Sequence, residues 1–297
     1  MKRVIIIGSG LGGLSCGVIL AKNGYHVTLL EQSQQIGGCL QCFYRHGAKF
    51  ETGMHFIGSA AEGQTLSKLM RYLEIDRDVQ LSQLDPSGYD VVALAGKKYK
   101  FANGRENFIQ QMTEYFPDQH ENLIRYYDLV EKIAQASSLH ALKDAESDSV
   151  INTEYQLRSI NEVIDELITD PTLAKVLVGN LPLYAAEKDK TPFSTHAFIM
   201  DFYNQSAYRI KGGSDSVAQA LANTLQRYGG EILTLHQARH IVCDDKQATG
   251  IEVWNKREKE TVFFPCDYVI SDAHPKRTLE MLDTKLCLLY TSPSPRD

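Results

Sequence analysis

The sequence contains no uninterrupted apolar run of the roughly 20 residues that a membrane-spanning helix requires. It also has no excess of basic residues, because 31 Lys and Arg stand against 37 Asp and Glu and the formal net charge is -6. No basic stripe is present that would neutralise a phosphate backbone. We therefore expect a soluble protein that does not bind nucleic acid.

Cysteine is sparse, with six residues in a chain of 297. The N-terminus imitates a secretory signal only superficially, because the apolar run that begins at Val4 already ends at Gly8. Without such a signal, six cysteines do not indicate a disulfide framework. We expect a cytoplasmic location, and the sequence leaves open both a peripheral contact with a membrane and the oligomeric state.

The first 30 residues have the pattern of a βαβ unit. Residues 3–7 form a short β-branched run of the type found in buried parallel strands, and residues 11–22 carry small and apolar side chains at helical spacing. Gly24 ends the helix, and residues 26–30 form a second apolar run. This order predicts two parallel strands joined by a helix.

Three glycines, Gly8, Gly10 and Gly13, form a G-x-G-x-x-G motif between the first strand and the first helix. In that position they permit a tight turn, a close approach of backbone to a diphosphate, and close packing of helix on strand. Glu31 follows the second strand, where a carboxylate accepts hydrogen bonds from a ribose. The predicted dinucleotide-binding residues are Gly8, Ser9, Gly10, Leu11, Gly12, Gly13, Glu31 and Gln32.

A pair of glycines, Gly37 and Gly38, follows Glu31 at a short distance. The stretch from Glu31 to this pair resembles the extended motif of flavoproteins whose N-terminal domain holds FAD. We therefore add both glycines to the predicted site and expect FAD rather than NAD as the cofactor.

Four segments carry a more specific resemblance. They are Gly-Gly-Cys at residues 37–39, Phe-Glu-Thr-Gly-Met-His-Phe-Ile-Gly at 50–58, Lys-Gly-Gly-Ser-Asp-Ser at 211–216, and Cys-Asp-Tyr-Val-Ile-Ser-Asp-Ala-His-Pro at 266–275. Together they resemble the phytoene desaturase, carotenoid isomerase and retinol saturase family of FAD-dependent oxidoreductases. The segment at 50–58 looks closest to the retinol saturase branch.

The resemblance implies an enzyme that exchanges hydride between flavin and carbon-carbon double bonds of an apolar polyene or isoprenoid, as a desaturase, isomerase or saturase. It also implies that Gly53, His55 and Gly213 lie at the FAD site, with His55 orienting the flavin or donating a proton. No metal site and no catalytic triad are predicted, because a flavin carries this chemistry itself.

The predicted fold class is α/β. A Rossmann-like FAD-binding domain of the two-dinucleotide-binding-domain flavoprotein type is expected at residues 1–62 and 207–286, interrupted by a mainly helical substrate domain at residues 63–206. Residues 287–297 are similar to the translation of a transposase adaptor used in sequencing libraries. A natural disordered tail is the alternative. If the adaptor interpretation holds, the chain is truncated at its C-terminus near Leu286, and we expect it to be inactive by itself.

Three alternative functions remain open. Cys39 and Cys42 could form a redox dithiol like that of flavin disulfide reductases. Their spacing argues against it, because those enzymes use a four-residue gap, and no second glycine fingerprint for a nicotinamide follows in mid-chain. An amine oxidase-like flavoprotein would share the N-terminal domain. An escort protein for prenylated GTPases would share the architecture without flavin, and the intact Gly8, Gly10, Gly13 and Glu31 argue against it.

Overall fold

The computed structural model describes residues 1–142, 149–244 and 247–282. The chain divides into two compact units. Unit 1 comprises Met1–Met54, Met70–Gln80 and the described part of Lys211–Asp297, and unit 2 comprises His55–Leu69 and Leu81–Ile210. The tail at 287–297, interpreted from the sequence as adaptor-derived, lies outside the described residues.

The secondary structure alternates at both ends of the chain and is mainly helical between them. The strands are β1 (Arg3–Ile7), β2 (His26–Leu30), β3 (Cys42–Arg45), β4 (Ala48–Glu51), β5 (Ile57–Gly58), β6 (Leu81–Gln83), β7 (Asp90–Leu94), β8 (Lys97–Phe101), β9 (Ala207–Ile210), β10 (Glu231–Leu233), β11 (His236–Asp244), β12 (Gln247–Asn255), β13 (Glu260–Pro265) and β14 (Tyr268–Ser271). The helices are α1 (Leu11–Lys22), α2 (Thr65–Tyr72), α3 (Arg105–Tyr115), α4 (His120–Gln135), α5 (Ser138–Ala141), α6 (Ser149–Leu157), α7 (Ile160–Leu167), α8 (Pro171–Leu177), α9 (Phe193–Gln205), α10 (Asp215–Arg227) and α11 (Pro275–Glu280).

Unit 1 is built on a parallel sheet with the strand order β10-β2-β1-β14. Ile6 in β1 is fully buried and pairs with Leu29 on one side and Ile270 on the other. Helix α1 packs on α10, and Gly17 leaves room there for the side chain of Leu225. The predicted βαβ unit and the α/β fold class are thereby confirmed.

A second, antiparallel sheet in unit 1 has the order β11-β12-β13. It buries Ile241, Ile251 and Val253 in a core cluster that also contains Ile5 of β1. Strand β11 has register irregularities near Ala238 and Val242, which interrupt its alternation. This sheet places β11 after β10, at the carboxyl end of the parallel sheet.

Unit 2 is mainly helical and has its own core, in which α3, α4, α7 and α9 contribute most of the buried side chains. Phe108, Tyr126 and Phe193 are among its largest fully buried residues. Strands β7 and β8 form a hairpin, and its turn at Ala95 and Gly96 has positive φ at both residues. Within the described residues, every helix is too short or too polar to cross a membrane.

A histidine lies in the middle of this core. His196 in α9 is fully buried, and its two ring nitrogens lie 2.9 Å from the hydroxyl of Tyr126 and 2.7 Å from the hydroxyl of Tyr184. Burial lowers the pKa of His196 to about 4, because the charged imidazolium would lose its hydration. One tyrosine therefore donates to the neutral ring and the other accepts from it.

We expect acid to destabilise the chain through this residue. The pKa of His196 is depressed in the folded state. Its contribution to the free energy of unfolding is therefore complete above the ordinary histidine pKa of 6.5 and is lost as pH falls toward 4. The free energy of unfolding should decrease by up to about 3 kcal/mol over that range from this group alone. Denaturant unfolding at several pH values measures it.

The matched variants are His196→Gln, which removes the titrating ring, and His120→Gln, which removes an exposed histidine of the same unit. The first should flatten the pH dependence between 6.5 and 4, and the second should leave it unchanged. An unaltered slope in His196→Gln would contradict the assignment.

Candidate functional site

The turn between β1 and α1 is shaped by glycine. Gly8 has φ = +102°, a value in the left-handed region that side chains disfavour. A Cβ on Gly13 would lie 2.1 Å from the carbonyl oxygen of Gly8, which no other residue type tolerates. Gly10 caps the helix in an extended conformation. The backbone therefore turns as tightly as the sequence motif predicts, and the first amides of α1 face outward.

The carboxylate of Asp272 lies against this turn. Asp272 follows β14, and its amide donates to the carbonyl of Ile7 at 2.8 Å. A Cβ on Gly10 would lie 2.6 Å from Asp272 Oδ2, and one on Gly12 would lie 2.5 Å from Oδ1. The first amides of a helix lack partners inside it, and the helix dipole favours negative charge there. The carboxylate of Asp272 thus lies beside the N-terminal end of α1. The unpaired amides of that helix end are the donors that a diphosphate requires, so the turn fits such a group.

Glu31, at the end of β2, is buried and held in one position by hydrogen bonds. Its Oε2 accepts from the Ser9 amide at 3.2 Å and from the Ser9 hydroxyl, and its Oε1 accepts from the Ser33 amide at 2.7 Å. Its backbone is fixed as well, because the Glu31 amide donates to Leu233 O at 2.9 Å. Each carboxylate oxygen has two lone pairs, so Oε1 keeps one acceptor position for a ribose hydroxyl.

The second glycine pair packs against the first loop. Gly37 and Gly38 have φ values of +110° and +54°, and the Gly37 amide donates to Ser9 O at 2.9 Å. A Cβ on Gly38 would lie 3.1 Å from the Cα of Gly10. Two glycine motifs that are separate in sequence therefore form a single loop cluster.

Within unit 1, these elements enclose a cavity of about 920 Å³. Its size falls in the upper part of the range for small-molecule and cofactor sites. Most of the predicted residues line it: Gly8, Ser9, Gly10, Leu11, Glu31, Gln32 and Gly38. Gly12, Gly13 and Gly37 lie in the same loop cluster.

Gly53 and Gly213 belong to the outer part of unit 1. A Cβ on Gly53 would lie 3.5 Å from Cys39 O, and one on Gly213 would lie 3.0 Å from Cys42 Sγ. The segment of Gly213 is joined to β4, because the Ser214 amide donates to Glu51 Oε1 at 3.2 Å. The family segments at residues 50–58 and 211–216 are therefore in contact.

An ion pair strengthens this junction. Lys49 Nζ lies 2.7 Å from Asp215 Oδ1 and donates to Gly212 O at 2.6 Å. The hydrogen bond to Asp215 raises the pKa of Lys49. Gly213, with φ = +108°, is thereby held between β4 and the start of α10.

His55 is the first residue of unit 2 and is exposed. Within unit 2 it lines a smaller cavity together with Asp90 and Asn180. Its assignment to the flavin site stays a prediction.

Cys39 and Cys42 are free thiols with different surroundings. Cys39 is exposed and lines the large cavity, whereas Cys42 is buried and its Sγ lies 3.2 Å from Glu51 Oε2. The arrangement gives Cys42 a structural contact and leaves Cys39 accessible.

Several cavity residues carried no sequence prediction. They come from the start of β11 and from the segment after β14, and they are His236, Gln237, Ala238, Arg239, Asp272, Ala273, Arg277, Glu280 and Met281. Asp272 was the most detectable of them, since an acid directly after a buried strand lies at the carboxyl edge of a parallel sheet. The local sequence of β11 did not indicate that its first residues line a cavity.

A parallel sheet with a glycine turn, an acid after β2 and a cavity at the carboxyl edge defines a dinucleotide-binding protein. Comparison with known proteins narrows this class to a single family. A model of the family described as flavin containing amine oxidoreductase matches residues 11–281. The chain belongs to this family, and the predicted flavoprotein family with FAD as its cofactor is confirmed.

Among curated proteins, all-trans-retinol 13,14-reductase from Rattus norvegicus is 32% identical in an alignment of 302 positions that covers 94% of this chain and 48% of the relative. Prolycopene isomerase 2 from an Oncidium hybrid cultivar is 25% identical over 86% of this chain and 46% of the relative. The chain thus spans about half the length of these relatives. They confirm the family resemblance drawn from the sequence and its closeness to the retinol saturase branch.

Among solved structures, an oxidoreductase from Methanosarcina mazei superposes with a TM-score of 0.68 at 19% identity. The match covers 94% of this chain and 61% of that structure. At this identity the likeness is one of fold, and it agrees with the predicted α/β flavoprotein architecture.

We expect Glu31→Ala to weaken FAD binding by about 10- to 100-fold, because charged hydrogen bonds contribute roughly 1.5–3 kcal/mol each. Titration of FAD fluorescence with purified protein measures the dissociation constant. Glu280→Gln is the matched control, since Glu280 lines the same cavity but pairs with Arg277 at 2.8 Å. Equal affinities of Glu31→Ala and the unaltered chain for FAD would contradict a hydrogen bond between Glu31 and the ribose.

Proposed function

We propose that this protein uses FAD to exchange hydride with a carbon-carbon double bond of an apolar polyene or isoprenoid. The observation that carries the proposal is the similarity to all-trans-retinol 13,14-reductase along 94% of the chain. The similarity to prolycopene isomerase supports it, because retinol and prolycopene are both polyenes. Saturation, desaturation and isomerisation remain alternatives within this class.

The chain's own residues bind and orient the cofactor in this proposal. The amides after Gly10 hold the diphosphate at the end of α1, and Glu31 Oε1 accepts a hydrogen bond from a ribose hydroxyl. Gly37 and Gly38 keep the loop cluster in place beneath them. When bound, FAD accepts or donates a hydride.

His55 is the proposed proton donor or flavin-orienting residue. Its imidazole is exposed in this chain and therefore accessible to a reacting molecule. Histidine suits the role because an imidazole can donate a proton or hold a hydrogen bond to the flavin.

An apolar polyene partitions into lipid, so we further propose a cytoplasmic protein that contacts a membrane peripherally. The exposed aromatic side chains Phe43, Tyr44 and Phe50 on the β3–β4 hairpin support this location. Flotation with phospholipid vesicles tests it: protein that stays wholly unbound argues for an aqueous carrier of the substrate.

The proposed function is tested with the product of the complete gene. Its visible spectrum is recorded anaerobically before and after addition of all-trans-retinol, prolycopene or a saturated analogue. Bleaching of oxidised flavin, or reoxidation of reduced flavin, supports the proposal and gives the direction. Peroxide production from amines in air supports an amine oxidase, which the family description favours as the second candidate. A protein that stays colourless with FAD supports a flavin-free binding protein.

We expect His55→Ala to lower the rate of flavin bleaching by about 100-fold, the usual range for loss of a general acid. Stopped-flow absorbance at the flavin band measures the rate. His120→Ala, an exposed histidine elsewhere in unit 2, is the control and should keep the full rate. Unchanged kinetics and FAD affinity in His55→Ala would exclude both roles.

A further inference from the structure

Arg239 lines the large cavity of unit 1, and an irregularity of β11 sets its position. The register of β11 against β12 shifts between Ala238 and His240, so Arg239 is the extra residue of a β-bulge. Bulges redirect side chains and are common next to functional sites. Here the guanidinium lies over the indole of Trp254 in β12, with its Cζ 4.5 Å from the ring centroid. Arg239 is therefore held on an aromatic platform at the wall of the cavity.

The charge of Arg239 is not used in an ion pair. In the described part of the chain, its guanidinium has no carboxylate partner. Arg277 in the same cavity differs, because it pairs with Glu280 at 2.8 Å. A guanidinium is planar and stacks on aromatic rings. One face of Arg239 meets the indole of Trp254, and the other face is open to a ring or an anion that enters the cavity.

The place of β11 in the fold indicates which part of FAD reaches Arg239. The amide of His236, the first residue of β11, donates to the carbonyl of Glu31 at 2.8 Å. In the strand order β10-β2-β1-β14, the turn for the diphosphate follows β1, whereas β11 follows β10 on the opposite side of β2. In FAD the ribose joins the diphosphate to the adenine. With the ribose at Glu31, the adenine therefore extends toward β11.

Adenine is an uncharged aromatic ring that suits the open face of a guanidinium. Nucleobases stack on arginine planes and on aromatic side chains, and this contact does not depend on hydrogen bonds to the base edge. A charge contact with the diphosphate is the other use of an unpaired arginine. It would require Arg239 on the side of β1 and α1, and β11 lies on the far side of β2 from them.

We propose that Arg239 stacks on the adenine of FAD, with Trp254 as the platform that orients the guanidinium. Arg239 is then a cofactor-binding residue, and Trp254 is a positioning residue that acts through it. The assignment rests on the FAD-binding part of the proposed function and is independent of the substrate.

The test measures binding by the product of the complete gene. Arg239→Ala should weaken FAD binding about 10-fold, the order expected for one lost base stack, as measured by titration of FAD fluorescence. ADP contains the adenine, ribose and diphosphate without the flavin, and calorimetry should show the same loss for it. Arg239→Lys keeps the charge but not the planar face, so it should bind FAD as weakly as Arg239→Ala.

A double variant tests the platform. Trp254→Leu should weaken FAD binding as well. Because Trp254 acts through Arg239, adding Trp254→Leu to Arg239→Ala should cause no further loss, and additive losses would contradict the platform. Arg257→Ala is the matched control, since Arg257 is an exposed arginine of the turn between β12 and β13. It should keep the full affinity for FAD.

The failures are distinguishable from those of the proposed function. Full FAD affinity in Arg239→Ala overturns the stacking, and so does full affinity in Arg239→Lys, because charge alone would then explain the contact. A loss for FAD without a loss for ADP moves the contact to the flavin and overturns the stacking as well. Weakened binding of both ligands in Arg239→Ala and Arg239→Lys, in a protein whose flavin no polyene reduces or oxidises, supports the stacking and overturns the proposed function alone.

Discussion

The contact between Gly13 and the carbonyl of Gly8 is the constraint on which the nucleotide site depends. Helix α1 starts so close to β1 that a Cβ at position 13 would lie 2.1 Å from that oxygen. This closeness directs the first helix amides and the positive end of the dipole toward the carboxyl edge of the sheet. Glu31, Gly38 and Asp272 are then arranged around one loop.

The loop is held by polar contacts that bring distant segments together. Ser9 links Glu31 to Gly37, and Ser214 links β4 to the start of α10. Both serines are fully buried, so each lost hydrogen bond would leave a buried polar group unpaired. The cofactor site and the connection between the early and late parts of unit 1 therefore depend on the same few contacts.

Two buried polar side chains of unit 2, His196 and Asn180, differ in their hydrogen bonding. His196 is neutral and has a tyrosine hydroxyl at each ring nitrogen, so it serves the packing of the core. Asn180 keeps an acceptor without a partner among the described residues and borders a cavity. His196 is therefore fully hydrogen-bonded within the core, whereas the Asn180 acceptor stays unpaired in the described part of the chain.

The sequence by itself determined the βαβ unit, the glycine turn and the acid at Glu31, because helical periodicity and the needs of tight turns act over a few neighbouring residues. The family followed from the resemblance of four sequence segments. The helix predicted at residues 11–22 matches α1. Only the tertiary structure decided that Asp272 lies over Gly10 and that Asn180 borders a cavity. Both follow from long-range strand pairing and packing, which leave no periodic pattern in the sequence.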